Sequence, residues 1–165
     1  MKDTVRDALN RQVTAELHAA YLYLSMAAWF EARNLSGFAA WMRMQSKEEI
    51  AHAMKIFDFV NERGGQVELG AIDAPPSDYA SPVDVFRKAL GHEQKVTGMI
   101  NDLYELALAE KDYPAQVMLQ WFIEEQVEEE DTAGTIVDQL EMIGDHAGSL
   151  FVLDRQMASR GEHAH

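Results

Sequence analysis

The chain has no cysteine among its 165 residues. A disulfide framework and a thiolate metal site are therefore excluded, and the absence agrees with a reducing compartment. Cationic residues are scarce too: 14 Lys and Arg stand against 28 Asp and Glu, a formal net charge of −14. Nucleic acid and anionic membrane attract basic surfaces, so neither is expected as a partner, whereas an acidic excess attracts cations. No apolar run approaches the roughly 18 to 20 residues a membrane-spanning helix needs. The opening MKDTVRDALNRQ has neither the basic start nor the apolar stretch of a secretory signal, and a cytoplasmic location is expected. Against these absences stands a hydrophobic content of 47%, enough at this length for one domain with a substantial core.

Glycine and proline fall in a few places and leave long uninterrupted segments of helical periodicity between them. The pattern predicts helices over about 3–33, 36–63, 82–111 and 114–143, with a short fifth over about 149–159. Ser36 is read as an N-cap, Gly64-Gly65 as a stop, and Ser81-Pro82 as an N-cap with proline in the first turn. Pro75-Pro76 rules out a helix through the connection at 64–81. Short links make the first two helices antiparallel, and likewise the next two. The long connection can carry the chain back along the bundle, so that the second and third helices run parallel. The expected fold is all-α: a four-helix bundle with one long crossover and a short terminal helix.

The stripe facing the core should alternate steps of three and four. It reads Leu9, Val13, Glu16, Ala20, Tyr23, Ala27 in the first helix and Met42, Gln45, Glu49, His52, Ile56 in the second. The third gives Ala89, Glu93, Val96, Ile100, and the fourth Leu119, Phe122, Gln126, Glu129, Ala133. One glutamate interrupts each apolar seam near its middle. Counted from the turns, the interruptions agree in depth to within about 4.5 Å at 1.5 Å per residue. Four carboxylates facing one another in a core require compensation, and these seams carry no lysine or arginine at that level. Either several take up protons, or multivalent cations sit between them. His52, three residues after Glu49, adds an imidazole on the same face. Carboxylates with one histidine suit Fe(II) and Mn(II), and can take Zn(II). Glu-x-x-His alone is a weak signal. With three further glutamates at its level, it favours metal over a protonated network.

At these residues the chain resembles the haem-free ferritins of bacteria and archaea. The resemblance is carried by LNRQVTAELHAAYLYLSMA around Glu16, EEIAHAMKIFDFVNERGG around Glu49 and His52, HEQKVT around Glu93, and LQWFIEEQVEEE around Glu129. It implies a ferroxidase that oxidises Fe(II) with O2 or H2O2 at a di-iron site inside each subunit. It also implies storage of ferric oxyhydroxide in a hollow homo-oligomer of 24 subunits. The resemblance places one iron at Glu16, Glu49 and His52, and a second at Glu49, Glu93 and Glu129, with Glu49 bridging. It makes Gln126 a neighbour of the second iron and Tyr23 a hydrogen-bonding residue able to supply an electron. A third iron would use Glu48, Glu125, Glu128 and Glu129. Bacterioferritins repeat Glu-x-x-His in the last long helix and carry a haem-binding Met between the Glu and His of the second. Here those positions are Gln126-x-x-Glu129 and Ile50, so no haem is expected.

The remaining candidates have quieter readings. His18, His92 and His146 are expected to be ordinary surface or packed histidines, and His163 and His165 tail residues. Trp121, one turn from the fourth-helix ligands, is accounted for by packing. Glu124, Glu130 and Asp131 are expected to be solvated or cavity-facing charge. Outside the resemblance, two alternatives stand: a small di-metal oxidase without a storage role, and a structural bundle of protonated glutamates.

Overall fold

The computed structural model describes residues 1–162; His163 and His165 lie outside that range. Four long helices carry most of the chain: α1 (Asp3–Ala32), α2 (Ser36–Glu62), α3 (Pro82–Ala109) and α4 (Tyr113–Ile143). A short α5 (Ala147–Ala158) and a 3-10 turn (Ser159–Glu162) follow.

The first three helices end in the same way, on a residue in the left-handed region: Asn34 at φ 60°, Gly64 at φ 76° and Lys111 at φ 56°. The next amide then bonds back into the last turn, Leu35 N to Phe30 O at 3.1 Å, Gly65 N to Val60 O at 2.9 Å and Asp112 N to Ala107 O at 2.9 Å. This is the Schellman closure, which satisfies carbonyls that the helix end would otherwise orphan. Starts are equally local for α3 and α4. Ser81 Oγ accepts from Asp84 N at 3.2 Å, with Pro82 in the first turn. The Asp112 carboxylate accepts from Ala115 N at 3.1 Å and pairs with Arg63 at 2.8 Å, joining the end of α2 to the start of α4.

α2 begins at residue 36 as expected, but its cap differs from expectation. Ser36 is already helical, and Leu35 at the N-cap provides no side-chain cap. Asp154 of α5 supplies it instead, its Oδ1 accepting from Phe38 N at 2.8 Å. At α5 the helix begins two residues earlier than expected, because His146 Nδ1 accepts from Ser149 N at 3.0 Å and acts as the cap.

The connection between the helix pairs runs along α1. Asn10 Nδ2 donates to Gln66 O at 3.0 Å, Gly70 N donates to Thr14 Oγ1 at 3.0 Å, and Ser25 Oγ donates to Pro76 O. It follows α1 in α1's own direction, which returns the chain to the end where α2 began, so α2 and α3 run parallel. α1 packs closely on α2 and α3 on α4, and α1 approaches α3. No Cα pair between α2 and α4 comes within 8 Å, so those two helices meet through side chains. The apolar core falls into two halves. One surrounds Met26, Phe30, Phe38, Met42 and Phe86; the other surrounds Leu9, Val13, Ile56, Ile100 and Phe122. What separates them is a belt of buried polar side chains.

Candidate metal centre

Helical spacing brings one carboxylate from each long helix to the belt. Glu16, Glu49 and Glu93 are 1%, 2% and 2% exposed, Glu129 is 8% exposed, and His52 is also buried. They form two overlapping cages. Glu16, Glu49 and His52 can each turn a ligand atom to within 4.8 Å of the others, and so can Glu49, Glu93 and Glu129. Glu49 belongs to both.

Amides and hydroxyls orient these carboxylates. Gln12 Nε2 donates to Glu16 Oε1 at 3.1 Å, and Gln126 Nε2 donates to Glu93 Oε2 at 3.1 Å. Gln45 Nε2 donates to Glu49 Oε1 at 3.0 Å and across to Glu129 Oε2 at 2.7 Å. Tyr23 donates its hydroxyl to Glu93 Oε1. His52 Nδ1 lies 3.3 Å from Glu49 Oε2, and its ring is flanked by Trp121 and Phe122 at 5.3 and 5.9 Å. Gln12 and Gln45 had no functional reading in the sequence. Each stands four residues before its glutamate, a repeated Gln-x-x-x-Glu that could have identified both.

The electrostatics make the belt unstable as a set of bare anions. Burial, with Glu49 beside it, holds Glu16 well above the ordinary carboxyl range. Glu49 is likewise raised well, chiefly by burial and then by the charges of Glu93 and Glu129. Burial raises Glu93, and burial together with Glu93 pushes Glu129 up to about 7. Tyr23 is raised well by burial and by Glu93, so its hydroxyl keeps its proton and donates. Among the described residues, no lysine or arginine pairs with any of the four carboxylates. Glu16 Oε2 is buried with no donor at all. An orphaned oxygen in an oxygen-rich, one-imidazole cage fits a hard divalent cation, which would satisfy it and displace the protons.

Residues 6–143 match the family described as the Ferritin-like domain. The chain belongs to the ferritin family. It is 39% identical over 160 residues to the bacterial non-heme ferritin of Bacteroides fragilis, covering 97% of this chain and 99% of that one. It is 40% identical to the bacterial non-heme ferritin of Staphylococcus haemolyticus over 154 residues, 93% of each chain. The open pore ferritin of the hyperthermophilic archaeon Archaeoglobus fulgidus matches with a TM-score of 0.95 at 47% identity, over 96% of this chain and 98% of that one. The haem-free ferritin resemblance and the all-α bundle with a short fifth helix, both expected from the sequence, therefore hold.

The other candidates lie around these two cages. Glu125 joins a third group with His52 and Glu129. Glu48 is bound to Arg160 at 3.0 Å and lies near enough to Glu129 for its charge to raise that carboxyl further, and Glu128 is exposed. Glu130 is not simply solvated: its Oε2 accepts from Thr97 Oγ1 at 2.6 Å, and Thr97 in turn accepts from Gln126 at 3.2 Å. His92 is packed rather than superficial, its ring 6.0 Å from Tyr23, and burial followed by the His18 charge lowers it to about 4. Lys55 sits 3.7 Å over the Trp121 ring, which gives that tryptophan a packing partner on its outer face.

Proposed function

We propose that the chain is an iron-storage ferritin: it oxidises Fe(II) at this belt and holds the product as ferric oxyhydroxide inside a hollow homo-oligomer of 24 subunits. The observation that carries the reading is the pair of three-residue cages sharing Glu49. Two cations held by one bridging carboxylate lie close enough for a two-electron oxidant to draw one electron from each. In this reading Glu16, Glu49 and His52 bind one Fe(II), and Glu49, Glu93 and Glu129 bind the other. Binding exchanges the carboxyl protons for the metal. With O2 as oxidant, two Fe(II) yield two electrons and become two Fe(III), while O2 takes up those electrons and two protons to give hydrogen peroxide. Carboxylates stabilise Fe(III) over Fe(II) and so favour that step. Gln12, Gln45 and Gln126 keep the carboxylates turned inward before iron arrives. Tyr23, held on Glu93, is the residue proposed to supply a further electron. Glu125, beside His52 and Glu129, is the candidate for a third iron, together with Glu48 and Glu128 if these swing inward. Haem has no place in this reading, and the cytoplasm is the proposed location.

Replacing Glu49 by Ala removes the shared ligand. Stopped-flow absorbance should show loss of the fast Fe(II) oxidation phase, with particle mass by light scattering unchanged; a fast phase of wild-type rate would refute the assignment. Glu125→Ala should spare the first fast phase and alter later turnover or iron stoichiometry. Aerobic Fe(II) loading followed by iron analysis separates storage from other di-metal chemistry. Hundreds of irons per particle are expected, and loading that stops near two or three per subunit would indicate a non-storage oxidase. Absence of any bound metal would instead leave a protonated structural bundle.

A further inference from the structure

The 3-10 turn after α5 brings Arg160 onto α2 beside the belt. The guanidinium donates to Gln45 Oε1 at 2.7 Å, to Glu48 Oε2 at 3.0 Å and to the Trp41 carbonyl at 3.2 Å, and it lies 4.1 Å over the Trp41 ring. At the level of the belt Gln45 joins α2 to α4, donating to Glu49 on one and Glu129 on the other. A primary amide has one acceptor oxygen and one nitrogen with two hydrogens. Here both hydrogens and the oxygen are in use.

We infer that Arg160 is a positioning residue for the metal centre, acting through the Gln45 amide. The inference rests on the metal-centre reading above. Turned through 180°, the amide would set its nitrogen against the guanidinium, donor against donor, and would set its oxygen against the two carboxylates once a cation has displaced their protons. A guanidinium can only donate, so Arg160 determines which end of Gln45 faces the belt. The amide in turn determines which oxygens of Glu49 and Glu129 remain available to a cation. The last turn of the fold thereby reaches the ligands through one intermediate side chain.

Two simpler roles give different results. If Arg160 only staples the terminal turn to α2 through Glu48 and Trp41, its loss lowers thermal stability and leaves metal affinity unchanged. If it acts only as a positive charge near the acids, its loss strengthens cation binding. Positioning predicts weakening.

The test is titration of the assembled, metal-free protein with Co(II), reading both affinity and the d–d absorption bands. Arg160→Gln should bind Co(II) about tenfold more weakly than the parent, the lower end of what loss of an outer-shell partner does, with shifted bands. In a Gln45→Ala background the same substitution should have no further effect. Arg160→Lys keeps a charge over Trp41 and the turn docked but offers a point donor in place of a fork; it should lie between Arg160→Gln and the parent. Unchanged or tighter binding by both Arg160 variants overturns the inference while leaving the metal centre standing. So does a tenfold loss that persists without Gln45. A parent protein that binds no Co(II) overturns the metal-centre reading and this inference together.

Discussion

Glu129 shows how burial at the belt becomes a dependence of folding on pH. Its carboxyl titrates near 4.5 when exposed and is pushed up to about 7 in the fold, by burial and by Glu93. Between those values the folded chain binds more protons than the unfolded chain, so stability falls as pH rises. The contribution is fully present below about 4.5 and is lost as pH climbs through about 7; Glu16, Glu49 and Glu93 act in the same direction. The melting temperature of the metal-free protein should therefore decline across this window, and Glu129→Gln should flatten the decline. Divalent metal should restore stability at pH 7 and release protons, which a weakly buffered titration with a pH indicator would register. At this scale, spacing and charge reveal the four glutamates and His52. They do not reveal Arg160, whose role depends on a turn more than a hundred residues away meeting Gln45.

At the scale of the element, the docking of α5 depends on one missing side chain. A Cβ on Gly37 would sit 1.6 Å from the backbone oxygen of Asp154, closer than any rotamer change can relieve. The same approach lets Asp154 cap α2. Gly37→Ala should displace α5 at a cost of about 1–3 kcal/mol, seen as faster amide exchange over residues 147–158 with the exchange of α1 and α3 little changed. Lys111 presents the opposite opportunity. It closes α3 at φ 56°, a conformation that costs an L-residue about 1–2 kcal/mol. Lys111→Gly should stabilise the fold by up to about 1 kcal/mol after the added freedom of the unfolded chain is subtracted, seen as a higher melting temperature. Helix extents were legible because Gly64-Gly65, Ser81-Pro82 and Asp112 act on their own neighbours. The cap of α2 was not legible for the converse reason: it comes from 116 residues along the chain, and Ser36, a good local candidate for it, is already in the helix.

For the whole molecule, the belt divides what would otherwise be a continuous apolar core. Such a layer costs stability unless something compensates it, and the compensation proposed here is metal. Replacing Gln12 and Glu16 together by Leu and Met removes a buried carboxyl, its orphaned oxygen and the amide that serves it. The metal-free double variant should be more stable by about 1–4 kcal/mol, as when buried polar sets are exchanged for apolar side chains of similar volume. It should also lose fast iron oxidation. Denaturant unfolding and stopped-flow oxidation of one preparation would check both halves. By itself the sequence determined the helices, their order and the level at which each seam turns acidic, because 3.6-residue periodicity and local breakers operate within a few turns of chain. Only the tertiary structure decided that the crossover follows α1, that α2 and α4 stand apart, and that Gln45 bridges them under Arg160. These depend on which distant surfaces fit together, and on a guanidinium that can be satisfied only where the fold brings acceptors to it.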